Sequence, residues 1–245
     1  MGSRSGRIDI MGIPVDGVTI GEALEMVKRF ISEGGGPHMI VTPNSLIANM
    51  SISNEELREA IASSCLSIPD GWGIVWASRI LGSPIKERVA GIDLMVGICK
   101  MAADMGYKVF LLGGKEGVAE RAAEGLRSIA PGLIVVGTHH GYFSDDGEVL
   151  DLINKSGADI LFVAMGAPKQ ELWMWRNRDL LKVSVVMGVG GSFDVLAGVR
   201  RRAPEWIRRS GLEWLYRFIT NPTRIERLLV PLIFGMRVIV RRARR

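Results

Sequence analysis

The chain is poor in the residues on which many chemistries depend. Two cysteines, three histidines and three tyrosines occur in 245 residues. Cys65 and Cys99 lie in apolar stretches read as helical, without the paired spacing of a metal knuckle. They are expected to be reduced core residues, which fits a cytoplasmic compartment and excludes a disulfide scaffold. His38 stands alone in a strand pattern and His139-His140 are neighbours. Neither arrangement has metal-ligand spacing, so no metal site is expected. There is no Gly-x-Ser-x-Gly elbow and no Walker A loop, which sets aside serine hydrolases and P-loop NTPases. Long hydrophobic runs are also missing. The longest apolar tail segment, 228–240, is interrupted by Pro231, Gly235 and Arg237 and is too short for the ~20 residues of a membrane span. Met1 to Arg7 is polar and glycine-containing, unlike a signal peptide.

What is present is a globular chain, 47% hydrophobic, long enough to bury a full core. Its net charge of +5 is unevenly placed. Residues 200–245 hold thirteen arginines, no lysine and three acids (Glu205, Glu213, Glu226), a net +10 that leaves −5 for the rest. Such asymmetry points to a partner rich in phosphate, either an anionic membrane or a nucleic acid.

Short apolar runs unbroken by polar residues predict buried parallel strands at His38–Thr42, Tyr107–Leu112, Leu133–Gly137, Ile160–Met165 and Val183–Val189. Amphipathic segments between them predict helices from the capping box at Thr19–Glu22 to about Ser32, and over Gly91–Met105, Gly117–Ile129, Glu148–Lys155 and Pro168–Asp179. The alternation implies a doubly wound, Rossmann-like, mostly parallel α/β sheet with helices on both faces. The α/β core is expected over residues 1–196, followed by a basic amphipathic helical appendage over 197–245.

Four stretches could carry chemistry. Thr42-Pro43-Asn44 ends a strand and opens a helix, so Asn44 suits either a helix cap or a ligand contact. Pro69-Asp70-Gly71 holds a carboxylate at a helix mouth, as an N-cap or as a general base. Arg88 follows in Arg-Val-Ala-Gly-Ile-Asp and can fork an anion or form a surface ion pair. Gly113-Gly114 runs from a strand into a helix, the setting of a tight turn or of phosphate contact through backbone amides. The richest stretch is Gly166-Ala-Pro-Lys-Gln-Glu followed by Gly188-Val-Gly-Gly-Ser-Phe-Asp, where Gly188, Gly190 and Gly191 clear a second strand end. Lys169 and Gln170 start the intervening helix. Asp194 suits either a ribose contact or a cap on the next turn. Two adjacent strand ends cleared by glycine favour a ligand crevice.

In the tail, arginine clusters flank Trp206, Trp214, Tyr216, Phe218 and Phe234, the composition of helices lying in a lipid interface. The alternative is a helical pair packed on the core with a solvated basic face. A nucleic-acid-binding module is the rival function, and the apolar run 228–234 argues against it. A dinucleotide oxidoreductase lacks its full glycine fingerprint here. The exposed apolar tail also suits a homo-oligomer in solution.

Taken in order, Thr42-Pro43-Asn44, Pro69-Asp70-Gly71, Arg88-Val89-Ala90-Gly91-Ile92-Asp93-Leu94, Leu112-Gly113-Gly114, Gly166 to Glu171, Gly190 to Asp194 and the run from Arg202-Ala-Pro to Leu215-Tyr-Arg resemble the WecG/TagA/CpsF glycosyltransferase family over roughly residues 8–230. The resemblance implies inverting transfer of a sugar from a UDP-sugar to a polyprenyl-diphosphate-linked N-acetylglucosamine, at the cytoplasmic face of the bacterial membrane. The sugar would be N-acetylmannosamine, its uronic acid or another hexose. It makes Asp70 the catalytic base, places Thr42 and Asn44 at the sugar pocket and Arg88 and Gln170 on donor or acceptor. Gly113, Gly114, Gly188, Gly190 and Gly191 would surround the nucleotide, and Arg217, Arg224 and Arg227 would reach over the site from the tail. No two aspartates flank a single residue, so the Asp-x-Asp metal clamp of many nucleotide-sugar transferases is missing. No cofactor is expected, and arginines with helix N-termini must meet the diphosphate charge.

Overall fold

The computed structural model describes residues 6–220 and 229–244, without the side chains of Arg209, Trp214, Arg217, Phe218 and Thr220. Six parallel strands form the central sheet, in the order β4 (Leu66–Ser67), β3 (His38–Val41), β8 (Val185–Gly188), β7 (Ile160–Ala164), β5 (Lys108–Gly113) and β6 (Ile134–His139). All five strands expected from the sequence occur, their ends displaced by one or two residues. β4 is only two residues long, too short for any periodicity to announce it.

Alternate side chains of each strand enter opposite cores. Ile40, Val109, Leu111, Phe162 and Met187 pack under α1 (Ile20–Glu33), α5 (Gly91–Met105), α6 (Val118–Ile129) and α9 (Ser192–Leu196). Val41, Phe110, Leu112, Val163 and Val186 pack under α2 (Ser45–Ser51), α3 (Glu55–Ala62), α4 (Trp72–Ile80), α7 (Asp146–Ser156) and α8 (Lys169–Arg176). Burial on both faces is why these strands read as continuous apolar runs. Thr19 caps α1 with the reciprocal Thr19–Glu22 bonds expected of a capping box.

Besides β4 and α3, two features escaped the sequence. An N-terminal hairpin, β1 (Arg7–Ile10) with β2 (Ile13–Asp16), covers the second core. Its Met11-Gly12 turn has both residues at positive φ, 57° and 94°, and lacks the usual Asn-Gly signal. Asp16 ties the hairpin to the sheet by accepting from the Ser67 amide at 2.7 Å and pairing with Arg7 at 3.0 Å. Cys65 is the other departure. It sits half-buried in the bend before β4 rather than in a helix, whereas Cys99 is buried in α5 with its thiol pushed up to about 12 by desolvation.

Beyond the sheet come α10 (Glu205–Arg209), α11 (Glu213–Thr220) and α12 (Val230–Ala243). Among the described residues no helix is long and apolar enough to cross a membrane. Phe234, expected at a lipid interface, is instead 2% exposed and with Val238 joins the second core, where α12 packs on α2 and α4. The opposite side of α12 leaves Leu232, Met236, Ile239 and Val240 exposed. The helix therefore combines a packed face with an exposed apolar one.

Candidate active site

Adjacent strands β5 and β7 send their chains in opposite directions, β5 through α6 to β6 and β7 through α8 to β8. That divergence opens a crevice at their C-terminal ends. The candidate residues of the core occupy the C-terminal ends of five consecutive strands. Asp70 follows β4, Thr42 and Asn44 follow β3, Gly188 to Gly191 end β8, Gly166 and Gln170 follow β7, and Gly113-Gly114 end β5. The row spans roughly 19 Å at the usual spacing between strands.

Backbone bonds stitch the Asp70 end of this row together. The Asp70 amide donates to Pro43 O at 3.1 Å and the Val89 amide to Pro69 O at 3.1 Å, so the loops after β3 and β4 and the segment before α5 form one unit. Gly91 opens α5 so close to Thr42 that an added Cβ would lie 3.2 Å from its Cγ2. The Thr42 hydroxyl donates to Gly188 O at 3.3 Å, joining the ends of β3 and β8. Asn44 caps α2, its Oδ1 accepting from the Leu46 and Ile47 amides at 2.9 and 3.1 Å. Asp70, by contrast, does not cap α4. Gly71 occupies the N-cap position, with φ 96°, and Asp70 lies one residue before it.

At the other end, Gly113 has φ 137° and packs against β7 so tightly that a Cβ would lie 2.5 Å from the Ala164 carbonyl atoms. Gly114 donates to Ala164 O at 3.0 Å. Gly117 is the N-cap of α6 and offers no side-chain cap, which leaves the Ala119 and Glu120 amides of the first turn for an anion. Gln170 is 2% exposed and accepts from the Gly166 and Gly190 amides at 3.2 and 3.0 Å. Gly188 is cleared for Gln170 rather than for a ligand, since a Cβ there would lie 2.8 Å from Gln170 Nε2. A Cβ at Gly166 or Gly190 would meet nothing within 4 Å, so those positions face open space. Gly191 is exposed, with Arg200 and Asp194 at 3.8 and 3.9 Å from its would-be Cβ. Asp194 lies in the first turn of α9, where its carbonyl accepts from the Arg200 amide.

The tail reaches the Asp70 end through charges that sequence reading did not pair. Arg202 forks Asp93 at 2.7 and 2.6 Å, and Arg88 meets Glu213 at 3.2 Å with both side chains largely covered. Burial works against the Asp93 carboxylate, yet the Arg202 bonds and the charges of Arg202, Arg208 and Arg88 hold it below its ordinary range. Burial likewise opposes the Arg202 charge, but Asp93 and then Glu213 and Asp70 hold it above its ordinary value. Asp70 is thus within electrostatic reach of Arg202. Trp72 Nε1 donates to Arg208 O at 2.8 Å, and Gly211 packs on its indole. Beside these groups lies a cleft of about 500 Å³ lined by Trp72, Arg79, Lys86, Arg88, Glu205 and Arg208, among others. A second hollow, about 450 Å³, lies past β6 beside His139, His140 and Phe143. Lys169 is held nearby by Gly141 O at 3.0 Å. Of the remaining candidates, Arg217 lies in α11 and its side chain is outside the described residues, as are Arg224 and Arg227 entirely.

Sequence reading missed Arg202, Arg208 and Glu213 as neighbours of the site and Glu171 as a buried carboxyl. The Asp93–Arg202 pair joins residues 109 positions apart, and no local pattern signals it.

A family model described as the glycosyl transferase WecG/TagA/CpsF family matches residues 8–245. The chain is 36% identical over 228 residues to the N-acetylglucosaminyldiphosphoundecaprenol N-acetyl-beta-D-mannosaminyltransferase of Staphylococcus aureus strain NCTC 8325 / PS 47, covering 92% of this chain and 89% of that protein. The proteins of the same name from strains COL and MRSA252 give the same identity and coverage.

Proposed function

The chain belongs to the WecG/TagA/CpsF glycosyl transferase family, and from that premise we propose that it transfers N-acetylmannosamine from UDP-N-acetylmannosamine to undecaprenyl-diphosphate-linked N-acetylglucosamine, with inversion. The product would serve wall teichoic acid or another cell-surface polymer. The observation that carries the reading is the row of five strand ends, with the Asp70 carboxylate at one end and glycine-cleared, amide-rich turns at the other. A nucleotide fits the amide-rich end, where Gly113, Gly114, Gly190 and Gly191 would approach the diphosphate and ribose beside Asp194. The acceptor fits the Asp70 end, its diphosphate entering the cleft between Arg79, Lys86, Arg88 and Arg208.

In this reading Asp70 takes the proton from the acceptor hydroxyl as its oxygen bonds to the anomeric carbon. The bond from that carbon to the donor phosphate breaks on the opposite face, and its electron pair leaves on UDP. The uncapped α6 N-terminus and arginines near the edge would stabilise the diphosphate charge, without a metal or other cofactor. Thr42 and Asn44 would line the sugar pocket. Residues 197–245 would act as an appendage that docks on the inner face of the membrane, brings Arg217, Arg224 and Arg227 over the site and makes turnover respond to arrival at the lipid.

The test is UDP release from UDP-N-acetylmannosamine with and without lipid-diphosphate N-acetylglucosamine, in EDTA. Acceptor-dependent release is expected. Asp70→Asn should retain fold and nucleotide binding while turnover falls by ~10² or more. Lack of acceptor-dependent release across a panel of UDP-sugars overturns the reaction, and near-normal turnover of Asp70→Asn removes that carboxylate from it.

A further inference from the structure

Glu171 is a carboxyl that the fold has no stability reason to keep. It is 0% exposed in α8, and its Oε2 has no hydrogen-bond partner among the described residues. Burial pushes it up to about 7, only partly offset by the Gln170 bond and a bond to its own backbone. An apolar side chain of the same size would escape that cost. Its Oε1 accepts from the neighbouring Gln170 Nε2 at 2.8 Å.

That contact decides which way round Gln170 sits. A glutamine amide has a donor end and an acceptor end of nearly equal shape. Here the acceptor end must face two amide donors, Gly166 N at 3.2 Å and Gly190 N at 3.0 Å, which belong to the loops after β7 and β8. The reverse orientation would set the NH2 against both donors. It would also leave both glycine amides and the glutamine carbonyl unpaired at 2% exposure. Glu171 supplies the acceptor that the NH2 end needs, and Gly188, at 2.8 Å from Nε2 by its would-be Cβ, supplies the room.

We propose that Glu171 is a positioning residue of the donor site: by accepting from the Gln170 amide it points the Gln170 carbonyl at Gly166 and Gly190, and so holds the two glycine turns between which the sugar diphosphate binds. The donor half of this statement rests on the reaction proposed above, whereas the clamp itself does not. Gln170 then acts as a strap across the ends of β7 and β8 rather than as a group free to contact substrate.

Two measurements on the full chain separate these parts. The first is hydrogen exchange of the Gly166 and Gly190 amides in wild type, Glu171→Met and Glu171→Gln. Methionine fills the site without an acceptor, and both amides should exchange about tenfold faster. Glutamine keeps an acceptor and should leave exchange near wild type. The second is the kinetics of UDP release. Glu171→Met should raise the donor KM or lower kcat by about tenfold while the acceptor KM stays within about twofold, and Glu171→Gln should recover most of the loss. Glu171→Ala decides the same question if the methionine variant does not fold. Unchanged exchange in the acceptor-free variants overturns the clamp. Equal damage from Gln and Met also overturns it, because carboxylate charge and not acceptance would then be what matters. Altered exchange in a protein whose wild type turns over no UDP-sugar leaves the clamp standing and fails the proposed reaction instead.

Discussion

At the scale of single residues, Glu171 also governs how stability should follow pH. Its carboxyl is pushed up from 4.5 to about 7 by burial. The folded chain therefore keeps this proton over a range in which the unfolded chain has lost it. Stability linked to this group is full below about pH 4.5 and is lost as pH rises to about 7, a change of about 3 kcal/mol. Glu171→Gln has no such titration. Urea unfolding of both proteins at pH 5 and pH 8 should show the wild type losing about that much relative to the variant, and parallel behaviour would place the carboxyl in water. Asp70, at the far end of the row of strand ends, illustrates what residue-level reading can decide. Position between proline and glycine allowed both a cap and a base, and the structure places Gly71 rather than Asp70 at the N-cap of α4. Asn44 went the other way at its Oδ1, which is spent on two α2 amides. The same residue type at a strand–helix junction reads alike in sequence because capping and ligand binding both need a short polar side chain there.

Among the elements, α12 is the most informative, because it was legible in composition and not in disposition. Its apolar residues are interrupted often enough to exclude a membrane span, and the helix occurs. Which of them turn inward depends on the faces offered by α2 and α4, more than 150 positions earlier in the chain. Phe234 fills that junction at 2% exposure, so Phe234→Ala should destabilise the whole chain by about 3 kcal/mol or more in chemical denaturation. A change below about 1 kcal/mol would mean that α12 is not packed there. Arg237 and Arg241 secure the same helix through Asn49 and Asp9 at 2.6 Å each. The hairpin β1–β2 shows the opposite limit. Its strands are four residues long, and its turn lacks the glycine pair or Asn-Gly that usually marks one, so nothing local distinguishes it from a loop.

Over the whole molecule, charge and exposed apolar area coincide on the C-terminal segment. Thirteen arginines lie in residues 200–245, and Met236, Ile239, Val240, Trp206 and Ile219 remain exposed in α10 to α12. Each basic residue near an anionic bilayer contributes on the order of 1 kcal/mol, and that attraction weakens as salt shortens the screening length. The chain should therefore sediment with phosphatidylserine-containing vesicles at low salt and less so at 0.5 M, with neutral vesicles retaining little. Equal binding to both vesicle types would assign docking to apolar contact alone. The sequence by itself determined the order of five of the sheet strands and of the longer helices between them, the buried character of the sheet and the concentration of positive charge at one end, because these depend on local periodicity and composition. Tertiary structure alone decided that Asp70, Thr42, Gly188, Gly166 and Gly113 share one sheet edge, that Arg202 meets Asp93 and that Gln170 straps two strand ends. Those juxtapositions follow from strand order and crossover direction, which bring together residues far apart in the chain and leave no trace in the pattern around any one of them.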